Sequence, residues 1–216
     1  MSQIFHPSTN TISKVSVVAV VLLVGGLGYG VLALNRSPYV ARTKIPFDQA
    51  VPFSHKHHVA GLGLDCRYCH TSVEKTASAG MPTTETCMSC HSMIWTNAPM
   101  LEPVRQSWAT GKSLEWNRVH DLPGFVYFNH SIHLNKGIGC ASCHGRIDQM
   151  PLVHQENTLY MEWCLDCHRN PEKNIRPREK VFDMTYKQPA NQSELGAKLV
   201  KDYKVQKFTD CYTCHR

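Results

Sequence analysis

All ten cysteines of this 216-residue chain fall into five copies of one short motif, C-x-x-C-H. In each copy two residues separate the cysteines, and a histidine directly follows the second cysteine. The copies begin at Cys66, Cys87, Cys140, Cys164 and Cys211, and no cysteine is left over. A spacing this regular excludes a disulfide framework as the reason for so many cysteines.

The motif is the attachment signal for c-type haem. Its two thiols form thioether bonds to one porphyrin, and the adjacent histidine binds the iron. Zinc sites and thioredoxin-like redox sites also use cysteine pairs, but neither requires a histidine after every second cysteine. We therefore predict five haems c. The predicted attachment residues are Cys66, Cys69, Cys87, Cys90, Cys140, Cys143, Cys164, Cys167, Cys211 and Cys214, and the predicted proximal ligands are His70, His91, His144, His168 and His215.

An uncharged apolar segment covers residues 15–34. It is long enough to cross a bilayer as a helix, and longer than the apolar region of a typical cleaved signal peptide. Gly26 and Gly30 form a G-x-x-x-G, which favours close approach of a partner helix. We predict an uncleaved transmembrane anchor, in contact with membrane lipid.

Two arguments give opposite orientations for this anchor. Lys14 precedes the segment, whereas Arg36, Arg42 and Lys44 follow it, and this count weakly favours a cytoplasmic C-terminal side. Haem attachment, however, takes place outside the cytoplasmic membrane of bacteria, and large domains translocate with little regard to charge. We predict a cytoplasmic N-terminus at 1–14 and a periplasmic or other extracytoplasmic haem domain at 35–216.

The extracytoplasmic part is too short to bury five macrocycles inside a conventional core. The predicted fold is therefore mainly α with extensive loops, a multihaem cytochrome c in which the haems form the core. Within it we expect dihaem units at about 50–95 and 125–172 and a fifth haem at about 193–216. One helix is expected near the last unit, capped by Ser193 and with Leu195, Leu199 and Tyr203 on one face.

A second repeat supplies candidates for the distal iron ligands. The pattern F-x-H-x-x-H occurs as Phe53-Ser54-His55-Lys56-His57-His58 and as Phe128-Asn129-His130-Ser131-Ile132-His133, each about ten residues before a haem motif. It resembles the distal-ligand motif of class III multihaem cytochromes. That resemblance implies that His55 and His130 cap haems one and three, and that His58 and His133 cap haems two and four. His57 fits neither position, and His6 precedes the membrane segment.

The next candidate for a distal ligand is His120. His154, Met150 and Met161 are alternatives, since methionine also binds haem iron and raises its reduction potential. These residues are numerous enough to fill every sixth position, which argues against an iron left open for catalysis.

The run from Trp163 to Glu172 and the stretch from Trp116 to His133, together with the anchor and five motifs, resemble the pentahaem cytochrome subunit of bacterial alternative complex III. The resemblance implies an electron-relay subunit of a quinol-oxidising complex, not a catalyst alone. The implied partners are integral membrane subunits, an iron–sulfur subunit and a monohaem cytochrome. Electrons would leave to a soluble carrier or a terminal oxidase.

Two other functions remain open from the sequence. One is a self-sufficient single-span quinol dehydrogenase, because Cys87 to Met93 contains C-x-x-C-H-x-M, a local feature of that class. The other is a haem enzyme that reduces an oxyanion such as nitrite. Nucleic acid is not an expected partner, since the propionates of five haems would outweigh the formal net charge of +6.

Overall fold

The computed structural model describes residues 4–215, which divide into two compact units, one ending at Thr43 and the other starting at Lys44. Both units are built from helices. The α-helices are α1 Ser8–Asn35, α2 Pro38–Ala41, α3 Cys66–Cys69, α4 Thr84–His91, α5 Glu102–Thr110, α6 His130–Asn135, α7 Cys140–His144, α8 Met161–Arg169, α9 Gln192–Asp202 and α10 Cys211–Cys214. A π-helix covers Lys56–Gly61, and 3-10 turns cover Pro99–Leu101, Ile147–Gln149, Pro171–Lys173 and Arg178–Lys180.

The N-terminal unit consists of the long helix α1 and the short helix α2. α1 has 28 residues and contains the whole predicted span 15–34. Its most apolar stretch has a mean hydropathy of 2.5, and none of that stretch is buried inside the protein. At 1.5 Å per residue the helix is long enough to cross the hydrocarbon core of a bilayer. The prediction of one long apolar helix near the N-terminus is confirmed.

The second unit has short helices joined by long loops, as the fold-class prediction states. Between residues 4 and 215 the strand pairing is limited to two isolated bridges, Val126 with His215 and Ile138 with Ile175. Its apolar core consists of small clusters, which centre on Val104, on Val181 and on Ile175. Clusters of this size bury little apolar surface, so the side chains of this unit do not by themselves form a core of the usual size.

Helix α9 positions the C-terminal segment against the rest of this unit. Its Leu199 joins Ile138 and Ile175 in one cluster, and Leu195 and Tyr203 pack against that cluster, as the predicted common face requires. The expected capping residue was wrong. The helix begins at Gln192 with Asn191 at the N-cap, so Ser193 lies inside the first turn.

The contact between α9 and the 3-10 turn Pro171–Lys173 depends on a glycine. Gln192 Nε2 donates hydrogen bonds to the carbonyl oxygens of Glu172, at 3.0 Å, and Ile175, at 2.9 Å. These bonds hold the helix so close that a Cβ atom built on Gly196 would overlap the carbonyl group of Glu172. Only a residue without a side chain allows this approach.

We expect Gly196→Ala to destabilise the haem-loaded protein, because the added methyl group must displace backbone. Overpacking of this kind costs about 1–3 kcal/mol, although alanine has the higher helix propensity. Thermal unfolding followed by circular dichroism measures the change. Gly124→Ala is the matched control, since a Cβ there meets no atom within 4 Å. Equal stability of the two variants would contradict the packing described.

Candidate haem-binding sites

Each C-x-x-C-H motif begins or lies within a helical turn. α3, α7 and α10 start at the first cysteine of a motif, and α4 and α8 contain their motifs. Residues three apart on a helix share a face, so the two thiols of each motif point to the same side. In α3 the turn is fixed by Asp65, whose carboxylate accepts a hydrogen bond of 2.8 Å from the backbone N–H of Arg67.

Cys140 and Cys143 do not have the environment of redox-active thiols. All ten are free, and burial raises the pKa of Cys140 and of Cys143 to about 12. A reactive or metal-bound cysteine needs a lowered pKa, because the thiolate is the reacting form. Within residues 4–215 no three histidine, cysteine or acidic side chains converge as a site for a single metal ion.

The two F-x-H-x-x-H segments have the same side-chain geometry. Phe53 meets His55 edge-on at 4.9 Å between ring centroids and stacks on His58 at 4.3 Å. Phe128 meets His130 edge-on at 4.8 Å and stacks on His133 at 4.4 Å. The backbones differ, since the first segment continues into a π-helix and the second into α6. The repeat therefore preserves the placement of two imidazoles around one phenyl ring. The sequence analysis did not assign this role to the phenylalanines, although their place in the repeat was visible.

Three of these histidines face the histidine of a C-x-x-C-H motif. The ring centroids are 6.3 Å apart for His58 and His91, 6.1 Å for His133 and His168, and 6.3 Å for His130 and His144. A bond between a metal ion and an imidazole nitrogen is about 2 Å long, so two imidazoles on opposite sides of one iron have centroids about 6 Å apart. The three pairs fit a six-coordinate haem iron.

Hydrogen bonds fix which nitrogen of each ring is available. Nδ1 of His58 lies 2.9 Å from the carbonyl oxygen of Ser54, and Nδ1 of His133 lies 2.7 Å from that of Asn129. Three other histidines have Nδ1 close to a backbone carbonyl oxygen. The distances are 2.8 Å from His70 to Gly80, 2.8 Å from His130 to Ala77 and 3.2 Å from His91 to Ile94. A ring whose Nδ1–H donates to a carbonyl keeps the lone pair of Nε2 for a metal.

His55 is half-buried and lies near His70, the histidine of the first motif. Burial, followed by the nearby His70, lowers the pKa of His55 to about 4. Its buried Nδ1 has no hydrogen-bond partner in the described part of the chain. Neutral imidazole is the form that binds iron, so this environment favours the ligand form of His55.

His120 occupies a different position from the other predicted distal ligands. Its Nε2 lies 3.1 Å from Nδ1 of His144, and the two ring centroids are 4.2 Å apart. Burial, followed by the nearby His120, lowers the pKa of His144 to about 3. In this arrangement His120 contacts the nitrogen of His144 that is opposite the iron-binding one. This placement does not support a distal-ligand role for His120.

The remaining candidates lie apart from the pairs. Nε2 of His154 is 3.4 Å from a carboxylate oxygen of Glu156. Met150 is buried, and Met161 is 64% exposed at the start of α8.

The two histidines that were not expected to bind iron are both exposed. The ring of His57 lies 6.0 Å from that of Trp95, and Nδ1 of His6 lies 2.8 Å from the hydroxyl of Ser8.

The histidine of the fifth motif has an aromatic neighbour. The ring of His215 lies 5.7 Å from that of Phe125, and its Nδ1 is 3.3 Å from the Phe125 carbonyl oxygen. Of the residues described, no histidine is found facing His215 as the three paired distal histidines face theirs.

Arg176 supports the third motif and was not identified from the sequence. Its guanidinium stacks over the ring of Tyr186 at 4.6 Å and donates to Ser142 Oγ at 3.3 Å. A Cβ on Gly139, the N-cap residue of α7, would collide with this guanidinium. No local pattern around Arg176 indicates the contact, because it joins residues more than thirty positions apart.

Comparison with known proteins agrees with this geometry. The family described as cytochrome c7 and related cytochrome c matches residues 126–216. The multihaem cytochrome c subunit of menaquinone reductase from Nitratidesulfovibrio vulgaris is 31% identical over 145 residues, which cover 57% of this chain and 69% of that protein. Cytochrome c-552 from Desulfotalea psychrophila is 34% identical over 68 residues, which cover 26% of this chain and 12% of that protein.

The attachment motifs, the facing imidazoles and these relatives lead to one assignment: the chain belongs to the family of multihaem c-type cytochromes that includes the multihaem subunit of menaquinone reductase.

Proposed function

We propose that this chain is a membrane-anchored pentahaem cytochrome c that relays electrons within a quinol-linked complex. The observation that carries the proposal is the set of three histidine pairs whose rings face each other at about 6 Å, the separation that iron ligation requires. Each pair joins a distal histidine to the histidine of a haem-attachment motif.

Three of the proposed axial pairs follow from these contacts: His58 with His91, His130 with His144 and His133 with His168. The fourth pair, His55 with His70, is proposed from their proximity and from the resemblance of F-x-H-x-x-H to a distal-ligand motif. His215 is the proximal ligand of the fifth haem, and His154, Met150 and Met161 are the remaining candidates opposite it. Haem c supplies one-electron chemistry when bound. At the four paired sites the histidines occupy both axial positions, which leaves no coordination place for a substrate such as nitrite.

The partners are proposed from two resemblances. The relative from Nitratidesulfovibrio vulgaris is named as a subunit of menaquinone reductase, and the flanking runs of this sequence resemble the pentahaem subunit of alternative complex III. We propose integral membrane subunits, an iron–sulfur subunit and a monohaem cytochrome as partners. Quinol would be the electron donor, and a soluble carrier or a terminal oxidase the acceptor.

The proposed location follows from the anchor and from where haem attachment takes place. Helix α1 would cross the bacterial cytoplasmic membrane once over residues 15–34. Residues 1–14 would then be cytoplasmic, and 35–216 would form the periplasmic haem domain, with dihaem units at about 50–95 and 125–172 and the fifth haem at about 193–216.

The alternative of a self-sufficient quinol dehydrogenase rests on the C-x-x-C-H-x-M run that ends at Met93. In the structure His91 faces His58 at 6.3 Å between ring centroids, whereas the side chain of Met93 is 79% exposed. This geometry favours two histidine ligands at the second motif over a methionine ligand. It therefore supports the electron-relay function over the quinol dehydrogenase.

The relay proposal predicts how the chain responds to quinol. Purified alone with its haems, the full chain should not be reduced rapidly by a menaquinol analogue, because in this proposal the membrane partners oxidise the quinol. The complex isolated from native membranes should show rapid haem reduction, followed by the change in the haem optical bands. The same membranes lacking this chain provide the control.

Two results would count against this function. Rapid reduction of the isolated chain by quinol would identify it as a quinol dehydrogenase in its own right. Haems that stay oxidised with quinol but are reoxidised by menaquinone after chemical reduction would reverse the proposed direction, as the name of the relative suggests for that protein.

The ring planes predict different spectra for the paired sites. The planes of His130 and His144 are nearly parallel, at 8°, whereas those of His58 with His91 and His133 with His168 are at 63° and 70°. The relative orientation of two axial imidazoles sets the splitting of the iron d orbitals. We expect a rhombic low-spin electron paramagnetic resonance signal from the third site and highly anisotropic low-spin signals from the second and fourth. A single type of low-spin signal from all paired sites would contradict these assignments.

Substitution of His120 and His130 should have different spectroscopic effects. His130→Ala removes an axial ligand, so one haem should become high-spin while all haems stay attached. His120→Ala should leave that haem low-spin and raise its reduction potential, because a hydrogen bond from Nδ1 of His144 makes that ligand more electron-donating. Electron paramagnetic resonance and a potentiometric titration measure the two effects.

His120→Gln, which restores a hydrogen-bond acceptor, should recover part of the potential, and His57→Ala is the control at an exposed histidine. A high-spin haem in His120→Ala would show that His120 is an axial ligand after all.

A further inference from the structure

The five attachment motifs contact one another in an order that differs from their order in the sequence. The first contact joins motif one to motif two. Tyr68, between the cysteines of motif one, and Ser89, between those of motif two, share a hydrogen bond of 2.9 Å between their hydroxyl oxygens. The sites they belong to are therefore neighbours.

The second contact joins motif one to motif three. The loop after motif one provides the Gly80 carbonyl that accepts from His70 at 2.8 Å. Three residues earlier the Ala77 carbonyl accepts from both the backbone N–H of His130, at 3.1 Å, and its Nδ1, at 2.8 Å. His130 in turn faces His144 of motif three. One short loop thus holds ligands of both sites.

The third contact joins motif three to motif four. Cys143 of motif three and Cys167 of motif four pack against the same apolar cluster of Ile138, Ile175 and Leu199. The two attachment edges therefore meet over one patch of core.

The fourth contact joins motif four to motif five through residues 125–128. The backbone N–H of Tyr127 donates to the carbonyl oxygen of Cys214 at 2.8 Å, in motif five. The next residue, Phe128, stacks on His133 at 4.4 Å, and His133 faces His168 of motif four at 6.1 Å. Motif five is therefore fixed beside the distal ligand of motif four.

We propose that the haem sites form an unbranched series in the order two, one, three, four, five. The proposal rests on the proposed binding of one haem at each motif. Motif one, not motif two, connects the first dihaem unit to the second. Motif two and motif five are then the two ends of the series.

The iron positions in the haem-loaded full chain test this order. Anomalous diffraction at the iron absorption edge locates each iron in crystals of the wild-type protein, and the attached cysteines identify the motif to which it belongs. We expect the iron at motif one to have two close neighbours, at motifs two and three, and the irons at motifs two and five to have one each. An iron at motif two placed between those of motifs one and three would overturn the proposal.

The same measurement separates this proposal from the proposed function. Fewer than five irons would contradict the pentahaem assignment and with it the series. Five irons in another order would overturn the series alone and leave the relay standing.

Discussion

The placement of paired imidazoles is the constraint on which the second unit of this protein depends. Three pairs face each other at 6.1–6.3 Å between ring centroids, and most of their Nδ1 atoms are held by backbone carbonyl oxygens. A carbonyl is fixed by the fold, so each such bond sets both the tautomer and the direction of a ring. The short helices and turns of this unit carry the rings to these positions, and the loops that join them provide the carbonyls. The loop around Ala77 and Gly80, which has little regular structure, provides two of these carbonyls, for His130 and His70.

The small apolar core is a consequence of the same arrangement. Clusters of a few side chains, such as Ile138, Ile175 and Leu199, lie beneath the attachment motifs, and cysteines of those motifs pack on them. A covalently attached porphyrin would add a large apolar surface at each of these places, and the haem and the cluster would then bury each other. Sequence length gave the same expectation, because the chain is too short to surround several macrocycles with a separate core.

Much of the site could be predicted from the sequence because its chemistry is local. C-x-x-C-H is contained in one helical turn, and F-x-H-x-x-H places Phe53 or Phe128 against two histidines that are close in sequence. Where the geometry joins distant segments, prediction failed or was silent. The contact of His120 with His144, the support of α7 by Arg176 and the neighbours of motif one all depend on how loops pack. Ser193 was predicted as a helix cap on residue type alone, and the cap is instead Asn191, two residues earlier, so that the helix starts at Gln192.

The axial ligands also bear on the direction of electron transfer. A distal methionine in place of histidine raises the reduction potential of a haem. In a series with one such site, the electron would preferentially reside on that haem. The four sites with assigned pairs share the same two ligand types, which leaves their potentials to be separated by burial, hydrogen bonds and ring orientation. Where the potentials of these four proposed sites lie close together, electrons can move between them in either direction. The partners at its two ends would therefore decide whether quinol is oxidised or quinone reduced. A similar chain can on this basis serve a menaquinone reductase in one organism and a quinol-oxidising complex in another.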